Sequence, residues 1–352
     1  MKISTKKSVT LSDVARAAGV TSMTVSRAIN GSGYVSEETQ EKVMQAVSDL
    51  NYRPNGLARS LKRRRTDTIG LVLGDIANPF SAELARAVRD VSADRGYNLF
   101  ICISEHSAKE DVEAFNALAD HQVDGIIVAT RSNRVGDKQL SEMIERGVSV
   151  VCIGRDFHEE NADSVTADAL NGGFQATQHL IDLGHKDIAF IGATLANGAN
   201  LKRLQGYLKA MEANNLRIDE RFITGNTNAS DEAPGYSTEK LGYEAMKRLL
   251  VLPNRPTAVF ARNDFTAIGA INAIKESGLE IPKDISIIGF DDIPMAMHTS
   301  PALTTVRQPT RRQGSLAAEY LLRRIESKSA VEREETILEC ELIVRDSTSA
   351  PS

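Results

Sequence analysis

"VTSMTVSRAIN" (residues 20–30) reads as a short helix with an unusual surface. Two Thr, two Ser, one Met and one Arg stand where a solvated helix would carry Lys and Glu. Working outward, residues 9–50 read as three short helices. Thr10 can cap the first, with Asp13 three residues on as an acidic capping-box partner. Leu11, Val14, Ala15 and Ala18 form its apolar face, Gly19 breaks it, and Val20 packs inward at the turn. Thr21 caps the second helix, whose inward positions are Val25, Ala28 and Ile29. "NGSG" (30–33) is a loop. Ser36 caps the third helix, where Glu37 and Glu38 favour the positive end of the dipole and Val43, Val47 and Leu50 make the stripe.

A helix, a Gly-containing turn and a second helix form the arrangement whose second helix enters the DNA major groove. Ser22, Met23 and Arg27 occupy the outward side of that helix. Arg27 can bond guanine O6 and N7 together. Ser22 can donate or accept at a base edge, and Met23 offers apolar contact, for example with a thymine methyl. Thr10, Thr21, Thr24, Ser26, Asn30, Ser36, Thr39 and Tyr52 suit phosphate contacts, which set register rather than sequence.

Charge supports this reading. Residues 1–65 hold twelve Lys and Arg against five Asp and Glu, a net +7, whereas the remainder is −12 within a chain total of −5. A basic head on an acidic body points to nucleic acid at one end. At 352 residues, 41% apolar and 25% charged, the chain predicts two or three soluble domains. "IGLVLG" (69–74) and "GIIVA" (125–129) are too short to span a bilayer. The first thirty residues lack a continuous hydrophobic run, so a cytoplasmic protein is expected. Cys102, Cys152 and Cys340 lie far apart in strand-like runs and read as core thiols, with no metal or cofactor expected.

"NYRPNGLARSLKRRRTDT" (51–68) differs in kind. Asn55 can cap a helix over 56–62, too short to be stable alone, and four cations follow at Lys62–Arg65. This segment predicts a hinge that orders against a partner. Beyond Thr68, short buried strands at 69–73, 98–103, 125–129 and 150–153 alternate with amphipathic helices. A second series runs from a strand at 164–166 to one at 285–289. Such alternation predicts parallel sheets with helices on both faces, in two lobes, with a ligand cleft at the strands' C-terminal ends.

"TLSDVARAAGVTSMTVSRAIN" and "NYRPN", with "NPF" (78–80), "HLIDLGHKDIAFIG" (179–192), "ARNDFTAIGA" (261–270), "IPKDISIIGFDDIP" (281–294) and "PALTTVRQP" (301–309), resemble the lactose/galactose repressor (LacI/GalR) family over nearly the whole chain. The resemblance implies an α/β fold: an N-terminal three-helix helix-turn-helix head plus hinge helix, followed by a two-lobed periplasmic-binding-protein-like body of parallel sheets. The expected divisions are 1–54 for the head, 55–67 for the hinge and 68–352 for the body. Crossovers are expected near 160, 291 and 328, giving an N-lobe of about 68–160 and 292–327 and a C-lobe of about 161–291 and 328–345.

The same resemblance implies a ligand-responsive repressor that binds a near-palindromic, double-stranded operator as a homodimer. In the hinge, Leu61 would wedge a base step open in the minor groove, with Asn55, Ala58 and Lys62 alongside it. Phe80, Arg203, Asn263, Asp291 and Gln308 take the family's effector-binding places. "GRD" (154–156) departs from the family's Asp at this point, so Arg155 is expected to carry that contact. The effector is expected to be a sugar, sugar acid or sugar phosphate. The tail "ELIVRDSTSAPS" (341–352) has no leucine heptads, so a dimer is expected rather than a tetramer. A transport binding module would share the body but not the basic head. An α/β enzyme would need a phosphate loop or a nucleophile elbow, and neither motif occurs.

Overall fold

A computed structural model describes residues 9–52, 65–105, 107–130, 134–155, 157, 159, 161–193, 199–225, 238–327, 329 and 331–352. The chain forms two compact units, Met1–Thr66 and Asp67–Ser352.

In the first unit, α1 (Leu11–Ala18), α2 (Ser22–Asn30) and α3 (Glu37–Asp49) surround a small core. Thr10 and Asp13 form the expected capping box: Asp13 N–H donates to Thr10 Oγ1 at 3.4 Å, and Thr10 N–H donates to Asp13 Oδ2 at 2.9 Å. Gly19 (φ 67°) ends α1 in the left-handed region, where a side chain would be strained. Val14, Val25 and Val43 are fully buried at the centre, so the apolar stripes of the three helices meet as their spacing requires.

The second unit holds two six-stranded sheets. In chain order its elements are β1 (Thr68–Leu73), α4 (Pro79–Asp94), β2 (Asn98–Ile103), α5 (Ala108–Asp120), β3 (Gly125–Ala129), α6 (Arg134–Glu145), β4 (Ser149–Ile153) and β5 (Ala162–Ala167). There follow α7 (Ala169–Asp182), β6 (Ile188–Ala193), α8 (Ala199–Ala213), β7 (Ile223–Gly225), α9 (Thr238–Leu250), β8 (Ala258–Ala261), α10 (Asp264–Glu276) and β9 (Ser286–Asp291). The last elements are β10 (Thr304–Arg307), α11 (Thr310–Glu326), β11 (Glu335–Leu338) and β12 (Glu341–Ile343).

The N-lobe sheet runs β11-β5-β4-β3-β1-β2 and the C-lobe sheet β12-β10-β9-β8-β6-β7. Among the described residues every pairing is parallel except β10 with β12. Helices cover both faces of each sheet, which is why β1 and β9 are buried along their whole length.

The lobe boundaries correct the sequence expectation. β5 pairs with β4, so the first crossover falls at Asp168 rather than near 160. β10 extends the ladder on β9, so 292–307 stay with the C-lobe and the second crossover is at Gln308 and Pro309 rather than near 291. Residues 335–343 supply two strands to different lobes: β11 joins β5 and β12 joins β10. The third crossover is therefore at Glu339 and Cys340, not near 328. In each case backbone pairing outranks the hydrophobic run as the marker of lobe membership.

Candidate functional site

On the head, Ser22, Met23 and Arg27 are exposed on the outer side of α2, opposite buried Val25 and Ala28. Met23 is 65% exposed, a large apolar side chain held in solvent beside an arginine. The hydroxyls around it are partly engaged within the head. Thr21 Oγ1 accepts from Thr24 N at 3.2 Å and lies 3.0 Å from Thr24 Oγ1. Ser36 Oγ donates to Thr39 Oγ1 at 2.8 Å, and Asn30 Nδ2 donates to Ser26 O at 2.7 Å. Each helix N-terminus is thus organised by a hydroxyl residue that remains exposed, the condition for meeting phosphate oxygens with backbone N–H groups. Tyr52 packs half-buried against the head core. Asn55, Ala58, Leu61 and Lys62 lie outside the described residues.

In the body, a cavity of about 150 Å³ is lined from both lobes. Asp75, Asn78, Phe80, Thr130 and Gly154 contribute from the N-lobe, and Asn200, Arg203, Arg262, Asn263 and Asp291 from the C-lobe, with Gln308 at a crossover. The loops after β1, β3, β4, β8 and β9 supply much of this lining, as parallel strands dictate. Asn78 caps α4 by accepting from Phe80 N at 3.0 Å, which sets Phe80 in the first turn beside the cavity. Asn263 caps α10 in the same way, accepting from Thr266 N at 2.9 Å.

Arg203 and Asp291 form the polar centre. Arg203 Nη2 lies 3.4 Å from Asp291 Oδ1, Nη1 donates to Arg262 O at 2.5 Å, and the guanidinium lies 3.9 Å over the Phe290 ring. Arg203 Nε is buried with no hydrogen-bond partner among the described residues. Gln308 Nε2 donates to Asp291 Oδ1 at 2.6 Å. Burial holds the Asp291 carboxyl above its usual range against the opposing pull of Arg203, Gln308 and Arg262. Burial and the neighbouring Arg203 lower Arg262 to about 10. Asp291 and Asp292 both take positive φ, 114° and 55°, and their carboxylates part. Asp292 instead holds Arg307 at 2.7 Å and Arg345 at 2.6 Å. Asp264 is fully buried and accepts from Thr305 Oγ1 and Ile293 N, a structural role.

Phe80, Arg203, Asn263, Asp291 and Gln308 therefore come together around one cavity. Arg155 does not join them, which corrects the sequence expectation. Its side chain is fully buried, with Nε and Nη2 on Asp137 Oδ1 at 3.0 and 2.6 Å, Nη1 on Thr130, and Asp111 at 3.9 Å. Two carboxylates claim the guanidinium before any ligand can. Thr130 and Asn200 line the cavity without a sequence signal: Thr130 follows β3 and Asn200 lies in the first turn of α8, and no motif marks either position. Arg262 was legible only as the neighbour of Asn263.

A helix-turn-helix head joined to a two-lobed binding body defines a DNA-binding regulator with a small-molecule cleft. Residues 10–55 match the bacterial regulatory proteins of the lacI family, and residues 177–348 match a periplasmic binding protein-like domain. The transcriptional repressor PurR of Histophilus somni (strain 129Pt) is 38% identical over 340 residues, 96% of this chain and 98% of that protein. The ribose operon repressor of Haemophilus influenzae is also 38% identical over 340 residues, with the same coverage. The Lac repressor dimer bound to operator and the anti-inducer ONPF superposes with a TM-score of 0.83 at 27% identity, covering 98% of this chain and 100% of that one. The chain belongs to the LacI family of bacterial regulatory proteins, and it is a DNA-binding transcriptional repressor rather than an enzyme. No helix among the described residues is long and apolar enough to cross a membrane.

Proposed function

We propose that this repressor acts in the cytoplasm as a homodimer on a near-palindromic operator, and that a neutral polyhydroxylated effector in the cleft sets its operator affinity. Genes of carbohydrate uptake or catabolism are the natural targets. Ser22, Met23 and Arg27 read base edges, while Thr10, Thr21, Thr24, Ser26, Asn30, Ser36, Thr39 and Tyr52 serve the phosphates. Asn55, Ala58, Leu61 and Lys62 serve the minor groove at the operator centre. Phe80 walls the effector, and Arg203, Asn263, Asp291 and Gln308 hold its hydroxyls.

The observation that carries the reading is the buried Arg203 beside the cavity. Its Nε–H has no acceptor among the described residues, and Asp291 next to it offers carboxylate lone pairs. An adjacent donor and acceptor around an apolar wall suit vicinal hydroxyls. Charge selects the neutral class: Arg203 and Arg262 are balanced by Asp75 and Asp291 among the lining residues. The cation that would have favoured a sugar acid or sugar phosphate, Arg155, is matched by Asp111 and Asp137.

Dimerisation has a surface available. β2 is the free edge of the N-lobe sheet, and Phe100, Ile101 and Ile103 along it are 47%, 44% and 43% exposed. An apolar sheet edge of this kind is normally covered.

The test is a thermal-shift panel of neutral sugars, sugar acids and sugar phosphates on the full chain. A ligand at a hundred times its Kd adds about 2.7 kcal/mol to stability, a readily seen shift. A neutral sugar should raise the midpoint in the wild type and not in Asp291→Ala. A response confined to phosphorylated sugars would sink the neutral class.

A further inference from the structure

Arg155 is among the largest fully buried side chains of the described residues, and its bonds run directly behind the cleft. It follows Gly154, which lines the cavity with a positive φ of 60° and with open space where a Cβ would stand. The bare Gly154 faces the cavity while the next side chain turns into the lobe. There Asp137 of α6 takes Nε and Nη2 on one oxygen, and Asp111 of α5 stands 3.9 Å from Nη1. The remaining edge of the fork reaches the end of β3. Nη1 donates to Thr130 Oγ1 at 2.8 Å and to Thr130 O at 3.3 Å.

Thr130 is 4% exposed and lines the cavity. A threonine hydroxyl has one proton and two lone pairs. Arg155 can only donate, so its bond to Thr130 Oγ1 occupies a lone pair and leaves the hydroxyl proton for another acceptor. Without Arg155 the hydroxyl could rotate and accept from a ligand instead. The fork also grips the carbonyl of the same residue, so both the position and the polarity of Thr130 are fixed from behind.

We propose that Arg155 is a positioning residue that commits the Thr130 hydroxyl to donate into the cleft, making Thr130 a specificity determinant for an acceptor oxygen of the effector. This rests on the cleft being the effector site. The acceptor would be a ring or hydroxyl oxygen on the N-lobe side of the ligand, opposite the Arg203–Asp291 pair. Buried Asp111 and partly exposed Asp137 keep the guanidinium from swinging into the cavity. A lysine could keep the buried charge but could not span Asp137 and both Thr130 oxygens, because it lacks the planar fork.

The experiment compares wild type, Arg155→Lys, Thr130→Val, Thr130→Ser and the Arg155→Lys/Thr130→Val double variant, all as the full chain. The first readout needs no ligand: the threonine methyl NMR signal of Thr130, assigned by its loss in Thr130→Ser. A single rotamer is expected in the wild type and averaging in Arg155→Lys. An unmoved signal would overturn the proposal whether or not any sugar binds. The second readout is calorimetric titration with D-ribose and D-glucose. Arg155→Lys and Thr130→Val should each weaken binding about tenfold, equivalent to about 1.4 kcal/mol. Thr130→Ser should bind as the wild type does. The double variant should be no weaker than Thr130→Val alone, since Arg155 acts through Thr130. Additive losses would mean Arg155 acts independently, and normal binding by Thr130→Val would remove the donor role; either result overturns the proposal. A moved Thr130 signal combined with no wild-type response to any sugar in the panel would refute the cleft reading and leave the Arg155–Thr130 coupling standing.

Discussion

Arg27 concentrates the sequence reading of this repressor in one side chain. It is exposed at the end of a helix whose opposite side is pinned by buried Val25 and Ala28, so its position is set while its guanidinium stays free to meet a base. A bidentate pair with guanine is worth about 1–3 kcal/mol of discrimination. Arg27→Ala should therefore lose roughly ten- to a hundredfold in affinity for a selected operator, more than it loses on random DNA. Its thermal response to an effector should be unchanged. Equal losses on both DNAs, measured by fluorescence anisotropy, would reassign Arg27 to a phosphate. At this scale the sequence is legible where spacing alone fixes a side chain's direction, as for Ser22, Met23 and Arg27. It is illegible where direction depends on partners far along the chain. Arg155 shows this. Its position at a strand end suggests the cleft, but Asp111 and Asp137 lie 44 and 18 residues away and draw it inward.

Helix pairs set the shape of the C-lobe. α9 and α10 touch backbone to backbone: a Cβ at Gly269 would stand 1.9 Å from Glu239 O. α7 and α8 do the same at Gly206, where a Cβ would stand 2.2 Å from Leu170 O. Neither contact can be relieved by moving a side chain, since the obstacle is a carbonyl. Gly269→Ala should therefore force α10 away from α9 and cost about 1–3 kcal/mol, seen as a lower thermal midpoint. An unchanged midpoint would mean that the backbone contact of the pair does not limit the side chain at Gly269. The helices themselves were legible from caps and apolar periodicity, as the three of the head show. The crossovers were not legible. Which sheet β5, β10 and β11 each join is decided by register with strands elsewhere in the chain.

The whole molecule joins a head of net +7 to a body of net −12, so operator affinity should fall steeply with salt while effector affinity should not. Effector and operator are coupled reciprocally: whatever factor one imposes on the other's affinity must be returned. A dimer enters this coupling because a two-fold operator is held by two heads, and the loss of one leaves half the contacts. The free edge of β2 is where that dependence can be cut. Ile103 is exposed at the strand's end, far in sequence from the Arg203–Asp291 centre and absent from the cavity lining. Ile103→Glu in each copy would set like charges at an apolar edge, and such juxtapositions suppress association. Sedimentation equilibrium should show this variant as a monomer at concentrations where the wild type is dimeric. Its operator affinity should fall with the loss of the second head, while its effector affinity should stay within about twofold of the wild type, since no cavity residue has changed. A variant that remains dimeric would show that the copies meet elsewhere. A monomer with full operator affinity would show that one head carries the binding, and the two-fold reading of the operator would have to be abandoned.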